Sequence, residues 1–247
     1  MQITPVVKQL LIINIIFFIG SQFVPVANDL FALYPFQNEQ FQYWQLLTHM
    51  FMHGNIMHIA FNMFALYSFG SSLEHFWGPK KFIFFYISCG LGAALLHSGV
   101  NYYLFQSGLN DLIEAGVKSS DVYSLLNSGR IDTRWTEILG TNGLNSLAGS
   151  FVTPAVGASG AVYGLLVAFA FMFPNAELAL MFIPVPIKAK YFVPGILLID
   201  LFLGVKGNSI FGGSTGVAHF AHIGGALIGF IMMWYWKKNQ FNSNRWN

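Results

Sequence analysis

The apolar residues of this chain come in runs of about twenty, the length that carries a helix across the hydrocarbon core of a bilayer. Any fold must accommodate those runs first. Charged residues make up 9% of the chain, against about 25% in an ordinary soluble domain, so the polar shell a water-soluble core of this size would need is missing. Six spans fit the hydropathy, at roughly 8–26, 53–73, 81–99, 158–174, 191–205 and 217–236. The expected class is therefore all-α: a polytopic membrane protein with six transmembrane helices.

The twelve basic residues are scattered, and the net charge of +2 forms no patch that would mark a nucleic-acid partner. The expected partners are the lipid bilayer and proteins within it. Cys89 is the only cysteine, so no intrachain disulfide can form. The first apolar run follows a single Lys8, lacks a small-residue cleavage site and is succeeded by further spans. It reads as a first transmembrane helix and not a removable signal peptide. Basic residues orient the stack. Lys8, Lys80, Lys81, Lys188, Lys190, Lys237, Lys238 and Arg245 fall on one side; Lys118, Arg130, Arg134 and Lys206 fall on the other. The positive-inside rule then puts both termini in the cytoplasm.

Between the spans, residues 27–48 hold Phe31, Tyr34, Phe36, Phe41, Tyr43 and Trp44, an aromatic density expected of a segment lying at the headgroups. Residues 100–157 form a long external insert. Amphipathic patches around 109–117, 121–126 and 133–139 predict short helices in it. The stretch 173–194, punctuated by Pro174, Pro184, Pro186 and Pro194, is expected to be largely cytoplasmic. The glycine-rich stretch from Gly204 to Gly216, with Phe211 in its middle, reads as a mobile loop or lid.

Polar side chains inside a membrane are costly and so are functional candidates. The stretch Gly157-Ala158-Ser159-Gly160 opens the fourth span, and Gly160 with Gly164 forms a GxxxG. A lone His222 stands shortly before a second GxxxG, Gly225 to Gly229, in the sixth. Two readings coexist: small-residue faces for helix packing, or two helices close enough to bring one serine and one imidazole together. His58 and Asn62, four residues apart, share a helical face. They too read either as interhelical hydrogen bonding or as part of a site. His49, His53 and His58 admit a metal reading, but no HExxH occurs and no carboxylate lies nearby in sequence, so neither a metal nor another cofactor is expected. No acid stands ready to orient His222 either: Glu74 lies toward the opposite membrane face and Asp200 near a span end.

Gly157-Ala158-Ser159-Gly160 with Tyr163, the run Ala221-His222-Ile223-Gly224-Gly225, and His49-x3-His53-x4-His58-x3-Asn62 resemble the rhomboid family of intramembrane serine proteases. The GxxxExxxG of Gly70, Glu74 and Gly78 is also similar. The resemblance implies a six-helix rhomboid-like bundle across 1–247, a single domain with the insert at about 100–157 as an addition between helices three and four. It implies an endopeptidase acting on transmembrane protein substrates, in a bacterial inner membrane. Ser159 would be the nucleophile and His222 the general base. The oxyanion site would be the Ser159 amide with the His58 and Asn62 side chains. Tyr163 would stack on His222, with Gly157 and His53 in support. Many members read Trp-Arg before the second span, where this chain has Trp44-Gln45. Two other classes compete: an inactive rhomboid-like binder of client helices, and a small-solute transporter. The presence of both Ser159 and His222 disfavours the first, and the lack of internal repeats the second.

Overall fold

The computed structural model describes residues 2–180, 183–206 and 218–240. The lid expected around Phe211, and Arg245 in the charge count, lie outside them. Eleven α-helices occur in the described residues, and each of the six expected spans contains helix.

Helix α1 (Pro5–Phe23) begins on a proline, whose missing N–H costs nothing at a first turn. Its other amino-terminal donors find a partner far away in sequence. The Glu74 carboxylate accepts the amides of Val6 and Val7 at 3.0 and 2.9 Å and the Thr4 hydroxyl at 2.5 Å. Glu74 thus caps the first helix from the end of the second span.

A short α2 (Val26–Phe31) leads into the aromatic loop and α3 (Gln45–Thr48), which is followed by a 3-10 turn at His49–Phe51. Tyr43 and Trp44 are exposed there, as an interfacial segment requires. Gln45 is fully buried and knots the loop. Its Oε1 accepts the amides of Tyr34 and Gln42, and its Nε2 donates to the Gln40 carbonyl at 3.0 Å.

The second span starts three residues later than expected, because Asn55 stops the chain and accepts the His58 amide at 2.8 Å. It runs as α4 (Ile56–Ala65), a π-turn at Leu66–Gly70 and α5 (Ser71–Trp77). The third helix, α6 (Pro79–Glu114), has 36 residues where about twenty were expected. At 1.5 Å per residue it is about 54 Å long, well beyond a hydrocarbon core of about 30 Å. The patch at 109–117 is therefore mostly the end of the third span and not a separate helix. The other two patches correspond to α7 (Ser119–Asn127) and α8 (Trp135–Val152), the latter kinked at Gly140. With the end of α6 they enclose an apolar core of their own, including Phe105, Leu112, Val122, Trp135, Leu147 and Phe151. Asn38 and Gln37 tie the aromatic loop to it by donating to the carbonyls of Phe151 and Ser150 at 2.9 and 3.0 Å.

The fourth span, α9 (Ser159–Met172), has 14 residues and so is only about 21 Å long, shorter than the membrane it sits in. A hairpin of β1 (Glu177–Leu180) and β2 (Ile183–Lys188) follows, in antiparallel register with Glu177 opposite Lys188. The last two helices of the described residues are α10 (Ala189–Lys206) and α11 (Ala218–Gln240). Among the described residues, four helical stretches (α1, Ile56–Trp77, α6 and α11) are long and apolar enough to cross a membrane by length and composition alone; α9 is too short for that criterion, and α10 carries Lys190, Asp200 and Lys206.

Helix α11 packs chiefly against α6 and α9. Glycine makes this possible. A methyl group on Gly225 would collide with the backbone of Gly160, one on Gly229 with that of Gly164, and one on Gly224 with that of Gly92. The backbones of α9 and α11 are in contact through both GxxxG pairs, so the helices come as close as helices can.

Candidate active site

Ser159 is the first residue of α9, and its position depends on the strand-like segment before it. Leu33 and Ala155 form an isolated antiparallel bridge, and the Gly157 amide donates to the His49 carbonyl at 2.9 Å. Gly157 has φ +124°, in the region that favours glycine. A side chain there would also lie 2.7 Å from His58 Nε2 and 3.7 Å from Ser159 Oγ, so the bare glycine makes room for the His58 ring beside the serine.

From α11, His222 reaches across the close α9–α11 contact. Its Nε2 is 2.9 Å from Ser159 Oγ. The Tyr163 ring, one turn into α9, lies flat against the imidazole, with centroids 4.2 Å apart and planes 9° from parallel. Ser159 and His222 are both partly exposed, so the pair is open to a reactant. A hydroxyl bonded to an imidazole nitrogen in this way is an activated nucleophile in form.

Around the pair, the Ser159 amide belongs to the first turn of α9 and has no intrahelical partner, so it can donate to a developing negative charge. Asn62, one turn along α4 from His58, is buried and donates to the His58 carbonyl at 3.0 Å. The His53 ring meets the His58 ring edge-on at 5.1 Å, and neither of its buried nitrogens has a hydrogen-bond partner. His49 faces elsewhere, with Nδ1 2.9 Å from the Gln45 carbonyl. The structure therefore gathers Ser159, His222, Tyr163, Gly157 and His58, with His53 and Asn62 adjoining.

The expectation that no acid stands near His222 does not hold. Asp200 is not at a span end in space: it is buried in α10, and its Oδ1 faces His222 Nδ1 at 3.3 Å and His219 Nδ1 at a shorter distance. The available signal was a lone carboxylate in the apolar run from Ile196 to Leu203, which the membrane penalises unless it has partners. Among the described residues, the three side chains whose ligand atoms converge, within 4.8 Å of one another, are Asp200, His219 and His222, and not the histidines of the second span.

A multi-pass helical membrane protein with a serine–imidazole pair at the head of a short inner helix defines the class. The family model for the rhomboid domain matches residues 40–239, and the chain belongs to the rhomboid family, whose members are generally intramembrane serine proteases. It is 28% identical over 200 residues to Rhomboid protease AarA of Providencia stuartii, covering 77% of this chain and 54% of that protein. Rhomboid protein 1, mitochondrial, of Saccharomyces cerevisiae is 35% identical over 89 residues, covering 36% of this chain and 24% of the yeast protein. RHOMBOID-like protein 12, mitochondrial, of Arabidopsis thaliana is 29% identical over 204 residues, covering 79% of this chain and 47% of the plant protein. The chain thus spans about half the length, or less, of the relatives it matches.

Proposed function

We propose that the chain is an intramembrane serine endopeptidase that hydrolyses peptide bonds in or near the transmembrane segments of other membrane proteins. The observation that carries this reading is the 2.9 Å contact between Ser159 Oγ and His222 Nε2, with Tyr163 stacked on the imidazole. Ser159 Oγ attacks the scissile carbonyl as its proton passes to His222 Nε2. The tetrahedral oxyanion is received by the Ser159 amide and by the His58 and Asn62 side chains. His222 then returns the proton to the leaving amine. The acyl-enzyme is cleaved by water, activated by the same imidazole. A short α9 sets Ser159 below the membrane surface, at a depth where a transmembrane substrate that has lost helical structure can meet water. The whole of 1–247 acts as one transmembrane domain with an external insert, resident in a bacterial inner membrane with both termini in the cytoplasm.

The test uses the purified full chain in detergent, a small fluorophosphonate and a transmembrane reporter. One site per molecule, Ser159, is expected to label, and the reporter is expected to be cut. Absence of both from folded protein would refute the reading.

Asn62 donates to its own helix in this structure and has to turn toward the oxyanion. An interaction made only in the transition state affects turnover and not binding. Asn62→Ala is expected to lower kcat by roughly 10²–10³ with KM little changed, as loss of one oxyanion donor does. Steady-state kinetics on the reporter decide it; a raised KM with kcat intact would make Asn62 a packing residue.

A further inference from the structure

We infer that Asp200 is a positioning residue for His222, selecting the tautomer and the ring edge that let Nε2 take the proton of Ser159. The inference rests on the serine protease reading above and adds a third member, from α10, to the pair on α9 and α11.

The Tyr163 stack fixes the plane of the imidazole but not its orientation within that plane. A half-turn of the ring about its bond to Cβ keeps the ring stacked on Tyr163 while replacing each nitrogen with a carbon. In addition, a neutral imidazole carries its proton on either nitrogen. Stacking alone thus leaves several arrangements, of which one is competent. The Asp200 carboxylate removes the others. Ionised, it can only accept, so the nitrogen 3.3 Å from its Oδ1 must be a protonated Nδ1. With the proton there, Nε2 keeps its lone pair toward Ser159 Oγ, 2.9 Å away.

The carboxylate is itself held. His219, one turn before His222 on α11, donates from Nδ1 to the same Oδ1. Asp200 is 4% exposed, and its Oδ2 has no hydrogen-bond partner. A buried carboxylate in an apolar helix is retained at a cost, and here its hydrogen-bond partners are His222 and, one turn away, His219. In the reaction the Ser159 proton moves to Nε2 as the Oγ–carbon bond forms; the Nδ1 proton stays on His222 and Asp200 stays ionised. The 3.3 Å separation is long for a hydrogen bond and is expected to shorten as His222 becomes cationic, since charge-assisted bonds are shorter.

The test compares wild type, Ser159→Ala, Asp200→Asn, Asp200→Glu and His219→Gln as full-chain protein, with turnover counted per fluorophosphonate-labelled site (per folded molecule for Ser159→Ala, which has no site to label) and thermal unfolding followed in parallel. The carboxamide of Asp200→Asn has the size of the carboxylate but permits the wrong tautomer. We expect kcat per labelled site to fall by roughly 10²–10⁴, with KM within about threefold, as such a tautomer loss does. Asp200→Glu keeps an acceptor-only group and is expected to exceed Asp200→Asn by about tenfold or more, and His219→Gln to lie between wild type and Asp200→Asn, because it loosens the carboxylate without removing it. A merely structural Asp200 would lower the midpoint and the number of labelled sites but leave turnover per site unchanged. Turnover per site within threefold of wild type in Asp200→Asn would overturn the inference, as would Asp200→Glu no better than Asp200→Asn. Loss of wild-type activity on EDTA, restored by Zn2+, would also overturn it, by assigning the three side chains to a cation. Cleavage by Ser159→Ala, or a wild type that neither labels nor cuts, is a different result and refutes the protease reading itself.

Discussion

Ser159→Ala is expected to abolish cleavage of a transmembrane reporter, with a loss of roughly 10⁴-fold or more, and to leave the fold standing. The Ser159 hydroxyl makes one hydrogen bond, to His222, from a partly exposed position at a helix start. Removing such a bond costs only about 1 kcal/mol of stability. His222→Ala is expected to give a similar loss of activity. The double variant should be hardly worse than either single one, because a nucleophile without its base and a base without its nucleophile are equally idle. A serine present only for close helix packing predicts the opposite, since alanine fills the same place. The deciding measurement is cleavage by the purified single and double variants with their unfolding midpoints. Substantial cleavage by stably folded Ser159→Ala would end the serine protease reading.

Gly225→Ala is expected to damage both stability and activity, by a different route. The added methyl would land on the carbonyl of Gly160, a backbone group that no rotamer change can move aside. Helices α9 and α11 must then separate, at a cost of roughly 1–3 kcal/mol for overpacking. Ser159 adjoins Gly160, and His222 lies one turn before Gly225, so separation of the helices pulls the two apart. A displacement of about 1 Å can cost roughly 10²-fold in rate. Both the unfolding midpoint and turnover should fall. Gly99→Ala supplies the control: it lies within α6, a methyl there would meet nothing within 4 Å, and its midpoint should hold or rise. A Gly225→Ala enzyme that turns over like wild type would show that the contact is looser than described.

The two variants separate what can be read along the chain from what cannot. Hydropathy marks the six apolar helices because a membrane demands long runs and a helix satisfies every backbone group within its own run; both are local properties. Glycines at four-residue spacing likewise announced close contact before any partner was known. Helix ends were less legible. The second span begins at Ile56 through a cap by Asn55, and α6 continues to Glu114 because its outer turns have α7 and α8 to bury against.

Adjacency between helices is decided by tertiary packing alone. Glu74 and Val6 are 68 residues apart, and Asp200 and His222, on α10 and α11, are 22 apart; no periodicity in one segment encodes the other. Ser159, His58 and His222 stand out in the sequence because each is a costly polar group among small or apolar neighbours. Asp200 is as costly, yet its meaning depends on how α10 is turned against α11. The chain's own pattern determined that it would be a helical membrane protein with a serine and a histidine on two closely packed helices. Only the packed bundle decided which nitrogen of His222 faces the serine and that a carboxylate stands behind the other, because side-chain orientation follows from interhelical contacts among residues distant in sequence.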